Sequence, residues 1–237
     1  LINRGIELFN GRNIQESAKY FERAVKENSN PQRTADALYL QGEALYRLAN
    51  YKQSQQILAK FFKHTKSKTS PHYTQALYTY GYLCLQSEHF AEGAQNFDAV
   101  IGSANITAEQ RCDAYNRLGD CQYGQKLFEQ CSQSYSYVID HKGKDADYAT
   151  YQKALACGLL GKNEYKLTYL NQILERYPLS RLASKACFEI ARTYLVWDNN
   201  EMAIINFKKF IDNYPSSAYV KEALLNLGNI YYNMDNN

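Results

Sequence analysis

Small residues recur along this chain at a nearly fixed interval. Gly5, Gly42, Gly81, Gly119, Ala154, Ala191 and Gly228 are spaced 37, 39, 38, 35, 37 and 37 residues apart. From the second onward, each follows an alanine by five residues: Ala37, Ala76, Ala114, Ala149, Ala186 and Ala223. Such a period marks a stack of supersecondary units, each too small to bury its own apolar face. Nine, twelve, sixteen and nineteen residues behind each small residue lie Ile14, Ser17, Phe21, Ala24; Tyr51, Ser54, Leu58, Phe61; Phe90, Gly93, Phe97, Val100; and Phe128, Cys131, Tyr135, Val138. Asn163, Lys166, Leu170, Ile173 and Asn200, Ala203, Phe207, Phe210 complete the series. Spacings of three and four put these residues on one helical face. Each unit is therefore predicted as a helix A carrying the small residue, followed by a one-sided helix B.

A glycine inside helix A costs about 1 kcal/mol against alanine. The expected compensation at Gly42, Gly81, Gly119 and Gly228 is a close crossing, with a large helix-B residue resting on bare backbone. Pro31, Pro71, Pro178 and Pro215 punctuate the junctions between units, and Ser180 and Ser217 are expected to cap the next helix A. The chain reads as a single repeat domain, 1–237. Its units fall near 1–31, 32–70, 71–106, 107–144, 145–178 and 179–215, with a half unit at 216–237.

Composition narrows the function. With 237 residues, 45% hydrophobic, the chain can bury a core, and it has no apolar run of transmembrane length. It does not open on Met, and no charged-then-apolar leader follows Leu1, which decides nothing about a signal segment. Net charge is +3 but unevenly spread: +6 over 1–68 (12 bases, 6 acids), −5 over 69–147 (5 bases, 10 acids) and +2 over 148–237 (10 bases, 8 acids). The densest basic run, Lys60 to His72, suits a helix C-terminus, and it is also the one place where a phosphate backbone or acidic partner could sit. The six cysteines form no CxxC pair, the four histidines form no metal-ligand spacing, and no metal or cofactor is predicted. The cysteines fall at helical core positions and favour a reducing compartment. No nucleophile elbow or phosphate-cradling glycine loop is present, so no enzyme is predicted.

The repeat resembles the tetratricopeptide repeat in Leu118-Gly119, Leu227-Gly228 with Tyr231, Ala203 with Phe207, and the closing Pro178 and Pro215. It departs from that pattern in its period of about 37 rather than roughly 34 residues, in having no tryptophan at the family's position, and in Ser17, Ser54, Gly93, Cys131 and Lys166 where helix B carries alanine. The form Tyr-Pro-x-Ser at Tyr177 and Tyr214 is similar to repeats of bacterial envelope proteins, including outer-membrane assembly lipoproteins and partners of the Tol-Pal system. The resemblance implies an all-α fold, a right-handed α-solenoid of about six helix-turn-helix repeats plus a final helix. It implies a protein that binds a peptide segment or partner in a concave groove lined by helix A. An envelope type would be periplasmic or outer-membrane-associated, whereas the cysteines point to the cytoplasm, and the compartment stays open.

In that groove the inward positions lie three before, one after and four after each small residue, and among them the candidate contacts are Tyr39, Glu43, Tyr46, Tyr78, Tyr82, Asn116, Asp120, Tyr123, Tyr151, Phe188, Arg192 and Tyr232, with Tyr148 one turn earlier. Tyrosine offers a flat apolar body and a polar tip at low entropic cost. The lysine, asparagine and arginine clamp by which some family members hold carboxylate tails does not carry over. Asp36, Glu43, Asp113 and Asp120 point instead to a neutral or basic segment. Two alternatives stand beside this groove: a structural role as part of a longer array or homo-oligomer, joined through Leu224, Leu225, Leu227 and Ile230 of the last helix A, and nucleic-acid binding through Lys60 to Lys68.

Overall fold

The structure, a computed structural model, describes residues 1–27 and 29–235. Among these residues it is all helical, with α1 (Ile2–Asn10), α2 (Ile14–Glu27), α3 (Pro31–Arg47), α4 (Tyr51–Lys63), α5 (Tyr73–Gln86), α6 (Phe90–Ile101), α7 (Ala108–Gly124), α8 (Phe128–Asp140), α9 (Ala146–Leu159), α10 (Asn163–Arg176), α11 (Ala183–Val196), α12 (Asn200–Asn213) and α13 (Val220–Asp235). Odd-numbered helices are the A helices and even-numbered ones the B helices. The chain forms two compact units, 1–125 with α1 to α7 and 126–237 with α8 to α13. Within each, consecutive helices pack on one another as in an α-solenoid.

Gly5, Gly42 and Gly81 do what their spacing predicts. A Cβ added at Gly5 would stand 2.5 Å from Phe21, at Gly42 2.6 Å from Leu58, and at Gly81 3.0 Å from Phe97. In each case the helix-B residue sixteen positions later lies against helix-A backbone, fully buried. Each such side chain contributes roughly 1.5–3 kcal/mol through burial, which exceeds the glycine's cost in helix propensity. Gly228 is the exception. It is exposed, nothing lies within 4 Å of its missing side chain, and so no crossing compensates it.

The turn from helix A to helix B is one motif repeated. Arg12, Ala49, Glu88, Lys126, Gly161 and Asp198 have φ between 57° and 71°, and each stands seven residues after a small residue. At Ala49, the left-handed residue's N–H donates to Tyr46 O (3.0 Å) and the next N–H, of Asn50, to Leu45 O (2.9 Å). The pairs at Arg12, Glu88, Gly161 and Asp198 are the same. This Schellman arrangement satisfies the last carbonyls of helix A and reverses the chain into helix B.

Helix starts use local side chains. Asn30 accepts from the Gln32 and Arg33 N–H groups (2.9 and 3.2 Å) with Pro31 in the first turn, and Thr107 with Gln110 forms a reciprocal capping box. Ser180 departs from its expected place as a cap: α11 begins at Ala183, and the Ser180 hydroxyl accepts from Leu182 N–H (3.0 Å) while donating to Asp147 (2.5 Å) in the preceding helix A. Ser217 likewise lies ahead of α13 and accepts from Tyr219 N–H at 3.4 Å. Ser70 repeats the Ser180 pattern, donating to Asp36 (2.8 Å) and accepting from His72 N–H (3.2 Å). Ser70 and Ser180 tie one repeat to the next.

Candidate functional site

The predicted wall divides into a buried column and a surface. Of the residues three before each small residue, Tyr39, Asn116, Tyr151 and Phe188 are 7%, 1%, 3% and 1% exposed. They are core, not contact surface. The reason lies in how successive A helices meet. The Tyr39 ring stacks on His72, and the Phe188 ring stacks on Tyr219 (5.0 Å, 18°), in each case on the residue that leads into the next helix A. Burial pushes the Tyr39 phenol well above the ordinary tyrosine range.

Tyr78 and Tyr82 are the half-buried members of the predicted set that the fold joins. Both hydroxyls donate to one carboxylate oxygen of Asp113 on α7, that of Tyr82 at 2.6 Å. Their rings pack edge-on against Phe97, with centroids 6.1 and 5.5 Å away. Desolvation, and then the hydrogen bond to Asp113, raise both phenols far above their ordinary value, so each is a donor at any physiological pH. Asp113 also holds Arg117 (3.4 Å), whose other nitrogen pairs with Asp120 at 2.5 Å. Two turns of α7 thus present acid, base and acid in a row beside two fixed tyrosine rings.

A second ladder step joins α3 to α5. Glu43 accepts from Thr79 Oγ1 (3.0 Å) and pairs with Arg47 (3.3 Å), whose guanidinium lies 4.2 Å above the Phe9 ring. Tyr46 is half-buried beside Tyr51. In the second unit Arg192 is exposed and pairs with Glu189 (3.0 Å), which also accepts from Lys166 (3.1 Å). Lys166 fills the slot that is small in the other B helices; a Cβ at Gly158 would touch its stem at 2.8 Å. Asp120, Tyr123 and Tyr148 are half-buried, and Tyr232 is 71% exposed on α13. Arg47, Thr79, Arg117 and Glu189 were not among the predicted wall residues. Acid and base three or four apart on helix A, as in Asp113-Arg117-Asp120, is the signal that marks Arg47, Arg117 and Glu189.

The two alternative surfaces have their own geometry. Lys60, Lys63, Lys66 and Lys68 are exposed, but Phe61 is buried and Phe62 packs on Tyr73 and Tyr80, so the basic run offers charge without an exposed ring. On α13, Leu224 and Leu225 are 54% and 64% exposed, whereas Leu227 and Ile230 are buried against the preceding pair. No helix is long and apolar enough to cross a membrane among the described residues, and none of their His, Cys, Asp and Glu side chains group as a metal site.

Residues 2–59 match the family model of the tetratricopeptide repeat. The same fold recurs in solved structures over most of the chain. MamA, residues 41 to the end, from Desulfovibrio magneticus RS-1 is 17% identical, with 76% of this chain and 94% of that one covered and a TM-score of 0.60. PilW, a widely conserved type IV pilus biogenesis factor, is 17% identical over 94% of this chain and 96% of its own, with a TM-score of 0.63. YrrB, a tetratricopeptide-repeat protein with an unusual peptide-binding site, is 16% identical over 87% and 98%, with a TM-score of 0.65. No curated protein sequence matches the chain. The family match is to residues 2–59, and over most of the chain the solved structures share its all-helical repeat fold.

Proposed function

We propose that the chain is a non-catalytic scaffold that holds a peptide segment or partner protein on its helix-A surface, centred in the first unit on Tyr78, Tyr82, Asp113, Arg117 and Asp120. The observation that carries this reading is the sharing of Asp113 by two tyrosines whose rings are already clamped on Phe97. Their rotamers are set before any partner arrives, so binding there forfeits little side-chain entropy. Three carboxylates, Glu43, Asp113 and Asp120, outnumber Arg47 and Arg117, which favours a neutral or basic segment. Peptides selected on the wild-type chain from a random display library test it. Their affinity should fall at least tenfold in Asp113→Asn and in Arg117→Gln while helicity stays unchanged. Equal binding to both variants would remove the site.

A second reading is carried by α13. Its bare Gly228 and exposed Leu224 and Leu225 are the features of a helix A awaiting a helix B, which supports stacking of a further repeat or a second copy there. Concentration-dependent light scattering, with Leu225→Asp as the monomeric control, separates it from the first.

A further inference from the structure

The side of the second unit formed by its B helices carries a cleft that the helix-A reading does not use. It lies between α8 and α10, over α9, encloses about 650 Å³, and is lined among others by Ile139, Lys142, Lys153, Tyr169, Arg176 and Tyr177. Its floor is Lys153, one residue before the small Ala154. The same register position, Gln41, lines a cleft of about 440 Å³ between α2 and α4 in the first unit. The fold therefore builds this cleft from its repeat geometry, and the residue before the small one helps line it: neutral at Gln41, cationic at Lys153.

The Lys153 ammonium is held from both walls. It donates to Ser136 Oγ on α8 at 2.7 Å and lies 4.4 Å from the centre of the Tyr169 ring on α10. Neither partner is an anion. Among the described residues no carboxylate lies within 4 Å of Lys142, Lys153 or Arg176, although Asp140 lines the same cleft. Three cations against one acid leave the cleft with positive charge that nothing on its own walls neutralises. The half-buried ammonium has lost part of its water shell and received in return a hydroxyl and an aromatic face.

We propose that this cleft binds an acidic polypeptide segment, with carboxylates meeting Lys153 on the floor and Lys142 and Arg176 at the sides. The three cations come from three separate elements: the turn after α8, the middle of α9 and the end of α10. Between them stand Ile139 and the Tyr169 and Tyr177 rings. Charge separated by apolar and aromatic surface suits a chain whose acidic side chains alternate with apolar ones, whereas a compact anion would use one convergent point. The expected partner is opposite in charge to the one that the helix-A surface favours.

Fluorescence anisotropy on the full chain tests this, using a labelled decapeptide of alternating Glu and Leu, its Gln counterpart and its Lys counterpart. The Glu peptide should bind, the other two should bind at least tenfold more weakly, and added salt should weaken the Glu complex. Lys153→Gln and the double variant Lys142→Gln/Arg176→Gln should each lose at least tenfold, while Lys60→Gln/Lys63→Gln/Lys66→Gln should bind as wild type. Should Lys153→Gln lose helicity, the double variant, whose two residues are exposed, decides alone. Undiminished binding in the double variant, or an equal loss in the Lys60, Lys63 and Lys66 triple variant, overturns the proposal. So does displacement of the peptide by an equimolar amount of tripolyphosphate, which would make the cleft a small-anion site. Loss of selected-peptide binding in Asp113→Asn with this cleft intact would separate the helix-A reading from this one.

Discussion

The Tyr39 ring lies flat on the His72 imidazole, 4.5 Å between centroids and 11° between planes. Burial holds His72 below its ordinary pKa of 6.5, and the neighbouring Asp36 pulls weakly the other way. A folded-state pKa below the unfolded one means that the unfolded chain binds more protons between the two values. The stabilisation is then complete above about pH 6.5 and is lost as pH falls below it. Thermal unfolding of the wild type should therefore weaken from pH 7.5 to pH 5.5 by more than that of His72→Phe, which keeps the stack and removes the titration. Parallel pH profiles for the two proteins would show that His72 does not sense folding.

Two glycines at equivalent positions should respond in opposite directions to alanine. In Gly42→Ala the new methyl meets Leu58, which is fully buried and cannot yield. Overpacking of about 1–3 kcal/mol outweighs the gain of about 1 kcal/mol in helix propensity, so the urea midpoint should fall. Gly228→Ala meets nothing and should raise stability by up to about 1 kcal/mol. A midpoint that rises in both would mean that the crossing at Gly42 is looser than its geometry.

The left-handed turn residues give a third test. Gly161 (φ 71°) has nothing within 4 Å of its missing side chain, so Gly161→Ala should cost about 1 kcal/mol from backbone strain alone. Ala49→Gly and Glu88→Gly relieve that strain in their own turns, at φ 59° and 60°, and should be neutral or stabilising by about 0.5 kcal/mol once the added freedom of the unfolded chain is set against it. Chemical denaturation of the three variants checks the sign of each.

The hairpin order was written plainly in the sequence because the residues that set it are chemically extreme: a bare glycine and, sixteen positions on, Phe21, Leu58 or Phe97. The wall was less legible. A helix A is flanked by another helix A on each side as well as by a helix B, and its apolar positions serve both contacts with the same spacing. Tyr39 and Phe188 look from sequence like the half-buried Tyr82, yet each stacks on the lead-in residue of the next repeat. The separation of 33 or 31 residues from their partners is one repeat less six, a shift that no pattern within a single helix reveals. The A-to-B turns stayed hidden for another reason. Glycine, the usual mark of a left-handed residue, stands at Gly161, while Arg12, Ala49, Glu88, Lys126 and Asp198 adopt the same conformation without it.

Lys166 bears on how freely such repeats can be exchanged. Its side chain and that of its partner Glu189 are only 15% and 12% exposed, and the two belong to successive repeats. Transplanted ahead of any sibling without an acid at that place, the fifth repeat would carry a buried charge with no counter-ion, a penalty of several kcal/mol. Evolution by duplication copies a repeat whole, but this one has become a part with a fixed neighbour: the order of the array is written in its side chains as well as in its covalent chain.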